Sequence, residues 1–213
     1  MAFDIGDDLD TVVRNRQQLG ERLGLGDAAD WQFLSQVHRA ETIEVTGVRA
    51  RPAGPTLRPE ADAAVSSIGG QVLAVMTADC APVAIVGEVS VAVVHAGWRG
   101  LLAGIVNSAV TKLRECGETD LKAVLGPCIH PAYYEFGDLE LKLLTDRFGD
   151  LVAGVSKSRK RALDLPAAVR AALIEEGISD LTDVGICTAA SEDYFSYRRD
   201  GVTGRQVLLA VLE

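Results

Sequence analysis

Two short strings concentrate the residues capable of chemistry in this chain: T-A-D-C-A-P, which runs into Cys80, and V-V-H-A-G-W-R-G, which contains His95. Between them lie the apolar runs PVAIV and VSVAVV, joined by Gly87-Glu88, a Gly-X pair of the kind that opens a type II′ turn. Cys80 falls seven residues before Gly87 and His95 seven after Glu88. A two-residue hairpin therefore predicts Cys80 directly opposite His95, with Cβ atoms about 4.5–5.5 Å apart. That spacing suits a thiolate and an imidazole sharing one metal ion, at about 2.3 and 2.0 Å from it. It equally suits a Cys–His nucleophilic pair.

His38, at the end of WQFLSQVH, also sits beside polar residues at a predicted strand end. Two imidazoles and a thiolate with an open fourth position make up a catalytic zinc site, or a trigonal copper site with a weak axial ligand such as Met76. The same spacing also fits a buried cysteine, a satisfied core histidine and an unrelated surface histidine. His95-Ala-Gly-Trp-Arg-Gly opens a helix, where backbone N–H groups and Arg99 would receive an anion; a plain glycine-rich connection reads the same way. Near the C-terminus, SEDYFSYRRDGVTGR gathers Phe195, Tyr197, Arg198, Arg199 and Arg205, either a stacking and phosphate-binding loop or a solvated basic one.

The elements that must position these residues are legible as a mixed pattern. Residues 9–24 have helical spacing, with Val12, Leu19 and Leu23 on one face and Gly24 as the stop. WQFLSQVH, TIEVTG, AVSS, QVLAVMT, PVAIVG, VSVAVVH, KAVLGP, LTDVGICT and QVLLAVL read as strands, and residues 50–60, rich in proline, as a loop. KAVLGP reads as a buried strand. Helices are predicted from Gly100 to about Cys116, Leu139 to Phe148, and Leu165 to Glu176, the last opened by Pro166. With no internal repeat or linker, this pattern predicts a single-domain α/β (α+β) fold: a mixed β-sheet including a hairpin, flanked by helices.

Composition limits the partners. With 48% apolar and 24% charged residues the chain is globular. A net charge of −9 disfavours nucleic acid. The apolar runs are far shorter than the roughly 20 residues of a membrane span, and the acidic N-terminus is unlike an export signal. Cys80, Cys116, Cys128 and Cys187 are widely spread, so free thiols and a cytoplasmic setting are expected.

The motifs become specific when taken together: Q-V-H (36–38), T-A-D-C-x-P-V (77–83), V-H-A-G-W-R-G (94–100), L-G-P-C-I (125–129), Y-E-F-G (134–137), C-T (187–188) and F-S-Y-R-R-D-x-x-T-G-R (195–205). In this order they resemble the laccase-domain family, also called multicopper polyphenol oxidase-like proteins, whose members are described as purine nucleoside phosphorylases with adenosine deaminase activity and as peptidoglycan editing factors. The resemblance implies one domain spanning 1–213 and a metal, usually zinc, on His38, Cys80 and His95. The chain departs from the pattern in starting at FDIGDD without the usual N-terminal strand and T-T-R-x-G-G turn, and in carrying Arg39 for a common glycine and Val169 for a common asparagine.

Three histidines are too few for a blue copper site plus a three-copper cluster, so multicopper oxidase chemistry is not expected. The resemblance instead implies a zinc-dependent purine nucleoside phosphorylase and adenosine deaminase acting on adenosine, inosine and methylthioadenosine. Zinc lowers the pKa of a bound water to about 7, enough for attack on a purine ring carbon. Cys80, Asp79 (as proton carrier, as support for Cys80, or simply holding a loop) and Arg99 are the candidate catalytic residues; Arg198, Phe195 and Tyr197 are the candidates for phosphate and base. The alternatives are an amidase-type hydrolase of peptidoglycan precursors, a single-copper polyphenol oxidase, and a non-catalytic metal or nucleoside binder.

Overall fold

In the computed structural model, residues 6–47 and 58–213 are described. Its strands form three sheets, of which two pack face to face. A six-stranded mixed sheet runs in the order β10 (Leu181–Asp183), β7 (Lys122–Leu125), β5 (Ala81–Val86), β6 (Val91–Ala96), β3 (Ala63–Ser66), β2 (Thr42–Glu44). Its two outermost pairs are parallel and its inner pairs antiparallel. A three-stranded sheet runs β1 (Gln32–Phe33), β4 (Leu73–Thr77), β11 (Gln206–Ala210).

Side-chain alternation assigns the layers. On β6, Val91 and Val93 meet Leu73, Val75 and Leu208 of the smaller sheet, whereas Ala92 and Val94 face the helices. Those helices are α2 (Trp98–Ala103), α3 (Ile105–Glu115), α4 (Asp138–Phe148) and α5 (Leu165–Glu175). Their Leu101, Ile105, Leu113, Leu144, Val169 and Leu173 join Val83, Ile85 and Leu125 in the main core. On β4 the other parity, Ala74 and Met76, packs with Trp31 and Phe33 against Leu19 of α1 (Leu9–Leu23). The mixed α/β architecture with flanking helices is as the sequence predicts.

Several elements differ from expectation, each for a local reason. The helix expected from Gly100 to Cys116 is two helices, because Gly104 at φ 90° ends α2 and starts α3. LTDVGICT pairs only over β10; Gly185, at φ 66°, interrupts it before Cys187 forms an isolated bridge to Cys128. WQFLSQVH pairs only at Gln32–Phe33 and in one bridge at Ser35. KAVL alternates between exposed and buried residues rather than being buried throughout. On α1 it is Val12, Arg16 and Gly20 that are buried, while Leu23 is exposed. A short hairpin of β8 (Ala153–Val155) and β9 (Arg161–Leu163), which polar GVSKSRKRAL does not announce, closes against the 131–135 segment. The loop expected over 50–60 lies mostly outside the described residues.

The β5–β6 hairpin itself is corrected. Val86 pairs with Val91, so the connection has four residues, not two, and Gly87 N–H donates to Ser90 O at 2.9 Å. The cause is Glu118, just beyond α3. Its carboxylate accepts from Glu88 N (2.9 Å), Val89 N (2.8 Å) and Ser90 Oγ (2.8 Å), satisfying a wider loop from outside. Gly87 is glycine for space: a Cβ there would lie 2.0 Å from Glu118 Cδ. The register shifts by two, so Pro82 rather than Cys80 faces His95, and Cys80 falls level with Gly97.

Burial pushes the Glu118 carboxyl up, but the amides of Glu88 and Val89 and the Ser90 hydroxyl outweigh it, and its pKa is lowered. Glu118→Ala is expected to destabilise the fold by about 1–3 kcal/mol at pH 7, read by denaturant unfolding. A carboxyl with a depressed folded pKa contributes stability above its unfolded pKa and loses it as pH falls through the folded one. The gap between wild type and Glu118→Ala should therefore narrow in acid.

Candidate metal centre

The site lies where the loop after β1, the start of β5 and the end of β6 meet. Among the described residues, His38, Cys80 and His95 form the one cluster of metal-ligating side chains, their ligand atoms all within 4.8 Å of one another. Cys80 Sγ is 3.8 Å from His38 Nε2, and the two imidazole centroids are 4.7 Å apart at 79°. A tetrahedral ion with ordinary zinc–sulfur and zinc–nitrogen bonds separates such ligands by about 3.5 Å. The donor set therefore fits a metal ion without large movement.

One carboxylate organises both imidazoles. Asp62 immediately precedes β3, and continuing the β3–β6 register places it beside His95 on the same face. Fully buried, it accepts from His95 Nδ1 at 2.7 Å, and its backbone carbonyl takes His95 N–H at 2.7 Å. The same carboxylate accepts three successive amides: Val37 N at 3.2 Å, His38 N at 2.9 Å and Arg39 N at 2.7 Å. This bonding holds His38 at φ 60°, a conformation rare for side-chain-bearing residues. Gln36 adds a second clamp, its amide donating to Met76 O (2.7 Å) and accepting from Met76 N (2.8 Å).

Cys80 reaches the imidazoles because its cross-strand neighbour is glycine. A Cβ on Gly97 would stand 3.1 Å from His38 Cδ2 and 3.2 Å from Cys80 Sγ. Gly100 plays a related part, since a Cβ there would meet Arg39 O at 3.1 Å. Burial raises the Cys80 thiol, but the His95 charge and the His38 hydrogen bond outweigh it and bring the pKa to about 6. Burial lowers His95, while the Cys80 thiolate and the Asp62 contact raise its pKa to about 9. Without a metal the pair is thus held as thiolate and imidazolium.

The other candidates fall in three places. Asp79, at φ 93°, has both carboxylate oxygens engaged, by Thr188 Oγ1 and by Arg198 N, each at 2.6 Å. Arg99 lies over the Trp98 ring at 4.1 Å and Arg198 over Tyr134 at 4.8 Å. Trp98, Phe136 and Tyr134 pack edge to face at 5.4 and 5.2 Å, so one aromatic string runs between the two guanidinium groups. The Tyr134 phenol is raised by burial and feels the charges of Cys80, Arg198, Asp79 and Arg99, which places these groups in one neighbourhood. Phe195 instead lines a groove with Asn15, Gln18 and Arg22 of α1, and Tyr197 opens the exposed short helix α6 (Tyr197–Asp200). Met76 is not an axial ligand: it packs beneath α1 and its sulfur accepts from Arg16 Nη2 at 3.7 Å.

The chain matches, over residues 1–213, the family described as multi-copper polyphenol oxidoreductase laccase. It belongs to that family. A protein of Xylella fastidiosa named purine nucleoside phosphorylase is 38% identical over 206 residues, 93% of this chain and 78% of that protein. The Escherichia coli protein named purine nucleoside phosphorylase YfiH is 36% identical over 205 residues, 94% of this chain and 80% of that one. The crystal structure of YlmD from Geobacillus stearothermophilus superposes with a TM-score of 0.89 at 32% identity, covering all of this chain and 84% of that one. Bacillus licheniformis YfiH gives 0.89 at 29%, covering 100% and 85%.

Asp62, Gln36 and Tyr134 are the site residues that sequence reasoning missed. The hint for Asp62 was positional: an acidic residue directly before the short strand run Ala63–Ser66. Asp62→Asn removes one acceptor oxygen and is expected to weaken zinc binding about 10–100-fold, measured by competition with a chromogenic chelator. In metal-stripped protein, Cys80 alkylation by iodoacetamide, followed by peptide mass spectrometry, should be half-maximal near pH 6. His95→Ala should move that midpoint upward, toward the ordinary thiol value of about 8.5.

Proposed function

We propose that the protein is a zinc-dependent purine nucleoside phosphorylase that also deaminates adenosine, with inosine, adenosine and methylthioadenosine as substrates. The observation that carries this reading is the meeting of a His-Cys-His cluster with two guanidinium groups at the ends of one aromatic string. The names of the relatives point the same way. His38, Cys80 and His95 would hold the zinc, which when bound lowers the pKa of a water to about 7 and polarises an oxygen placed on it.

The chain's own residues supply the rest. Phosphorolysis joins a phosphate oxygen to the ribose C1′ while the bond to the purine nitrogen breaks, its electron pair leaving with the base. Arg99 and Arg198 orient the phosphate and offset its charge as it approaches C1′. Tyr134 remains a neutral phenol, because burial raises its pKa, and so remains a hydrogen-bond donor. Tyr197, exposed beside Arg198, is the aromatic surface free to take a purine. Deamination instead joins a water oxygen to the purine C6 of adenosine while the bond from C6 to the exocyclic nitrogen breaks, and with a proton from the water that nitrogen leaves as ammonia.

A second reading rests on Cys80, His95 and Asp62. A Cys80 thiolate, a His95 imidazolium beside it and a carboxylate 2.7 Å from the other ring nitrogen form a nucleophile, a proton donor for the leaving amine and an orienting group. That arrangement would hydrolyse an amide, as in a cell-wall precursor, without metal.

Inosine phosphorolysis, assayed with metal content measured on the same sample, tests both readings. Cys80→Ala should lose zinc and at least about 100-fold in kcat/KM, and Arg99→Ala should raise KM for phosphate about tenfold or more. An unchanged phosphate dependence in Arg99→Ala removes that residue from the site. Amide hydrolysis that survives chelation but not alkylation selects the thiol reading.

A further inference from the structure

We propose that Asp79 is a positioning residue, a latch that fixes the 188–200 arm so that Arg198 stands beside the metal centre; this rests on the reading of Arg198 as a phosphate holder. The sequence leaves Asp79 as a proton carrier, a support for Cys80 or a holder of its loop, and the geometry favours a holding role, for a particular segment. Asp79 is buried, with Oδ1 receiving the Thr188 hydroxyl and Oδ2 receiving the Arg198 amide, both at 2.6 Å. A group that passes a proton to substrate needs an oxygen facing that substrate. Here both oxygens face the arm.

The arm is tied together internally by one side chain. Within it, the Arg199 guanidinium donates to Thr188 O (3.0 Å), Ser191 O (2.7 Å) and Tyr194 O (2.9 Å), and pairs with Asp200. Its attachments to the rest of the molecule include the Thr188 amide on Cys128 O, the Gln206 amide on both backbone groups of Phe195, the Arg198 guanidinium on Glu135 O, the packing of Ala189 in the main core, and Asp79. Of these, Asp79 is the side chain that holds the Arg198 backbone. It is also fixed at its other end, because its carbonyl accepts Ile129 N–H at 2.9 Å and the next residue is Cys80. One residue thus ties the sulfur of the cluster to the backbone of the arginine. From there the guanidinium reaches Glu135 O at 3.0 Å and lies across Tyr134.

The two roles make opposite predictions for one substitution. Asparagine keeps both contacts: its oxygen accepts from Arg198 N, its NH2 donates to Thr188 Oγ1, and the hydroxyl rotates to accept. It cannot carry a proton. Asp79→Asn should therefore stay within about threefold of wild type in kcat and in KM for phosphate, whereas Asp79→Ala should raise that KM about tenfold or more with a smaller change in kcat. Amide hydrogen exchange across 188–200 should accelerate in Asp79→Ala and match wild type in Asp79→Asn. Thr188→Val, which removes one contact while keeping the shape, should show a smaller shift of the same kind if Asp79→Ala does not fold.

A kcat reduced about 100-fold in Asp79→Asn, with exchange in the arm unchanged, would show proton transfer and overturn the latch. So would an Asp79→Ala or Thr188→Val arm that exchanges like wild type. A wild-type protein that consumes no nucleoside ends the phosphorylase reading alone, because the exchange comparison still decides whether Asp79 holds the arm.

Discussion

Asp62 is wholly buried, and its carboxylate faces four donors that come from two separate stretches of chain. A buried charge without partners is costly, so the fold at this point is stable only with the 37–39 amides and the His95 ring in place. Burial pushes the Asp62 carboxyl up, yet the His95 ring and the amides of Arg39 and His38 hold it below the usual range. The need of one carboxylate for donors is thereby what brings two imidazoles together.

Glycines decide how closely the third ligand approaches. Cys80 and His95 are not paired across the hairpin, and a side chain at residue 97 would stand between the sulfur and His38. Gly97 caps α2 and Gly100 lies in its first turn, where the absence of a Cβ lets the Cys80 sulfur and the loop around Arg39 close in. The H-A-G-W-R-G string thus carries a ligand, two spaces and a cation.

Electrostatics separate the site from the rest of the surface. The chain carries a net charge of −9, and Arg114, Arg147, Arg161 and Arg199 each meet a carboxylate. Arg99 and Arg198 instead lie on aromatic faces, which attract a cation without cancelling its charge. Two guanidinium groups without a carboxylate contact among the ion pairs described thus stand near the cluster on a protein that is acidic overall.

Residue types and strand ends offered His38, Cys80 and His95 as a donor set beside a purely structural reading, the family resemblance pointed to the trio, and the fold brings their ligand atoms within 4.8 Å of one another. Apolar alternation declared the mixed sheet, its hairpin and most helices, because period-2 and period-3.6 burial are local properties of the chain. What the sequence could not declare was the hairpin register, since Glu118, some thirty residues away, supplies the acceptors that widen the loop. Nor could it assign Asp62 to both imidazoles or Asp79 to the arm. A carboxylate's role is set by which donors reach it, and here those donors come from residues 23–33 and 109–119 positions distant. Only the folded chain brings them within 3 Å, because side-chain hydrogen bonds between distant segments leave no periodic trace in the residues that make them.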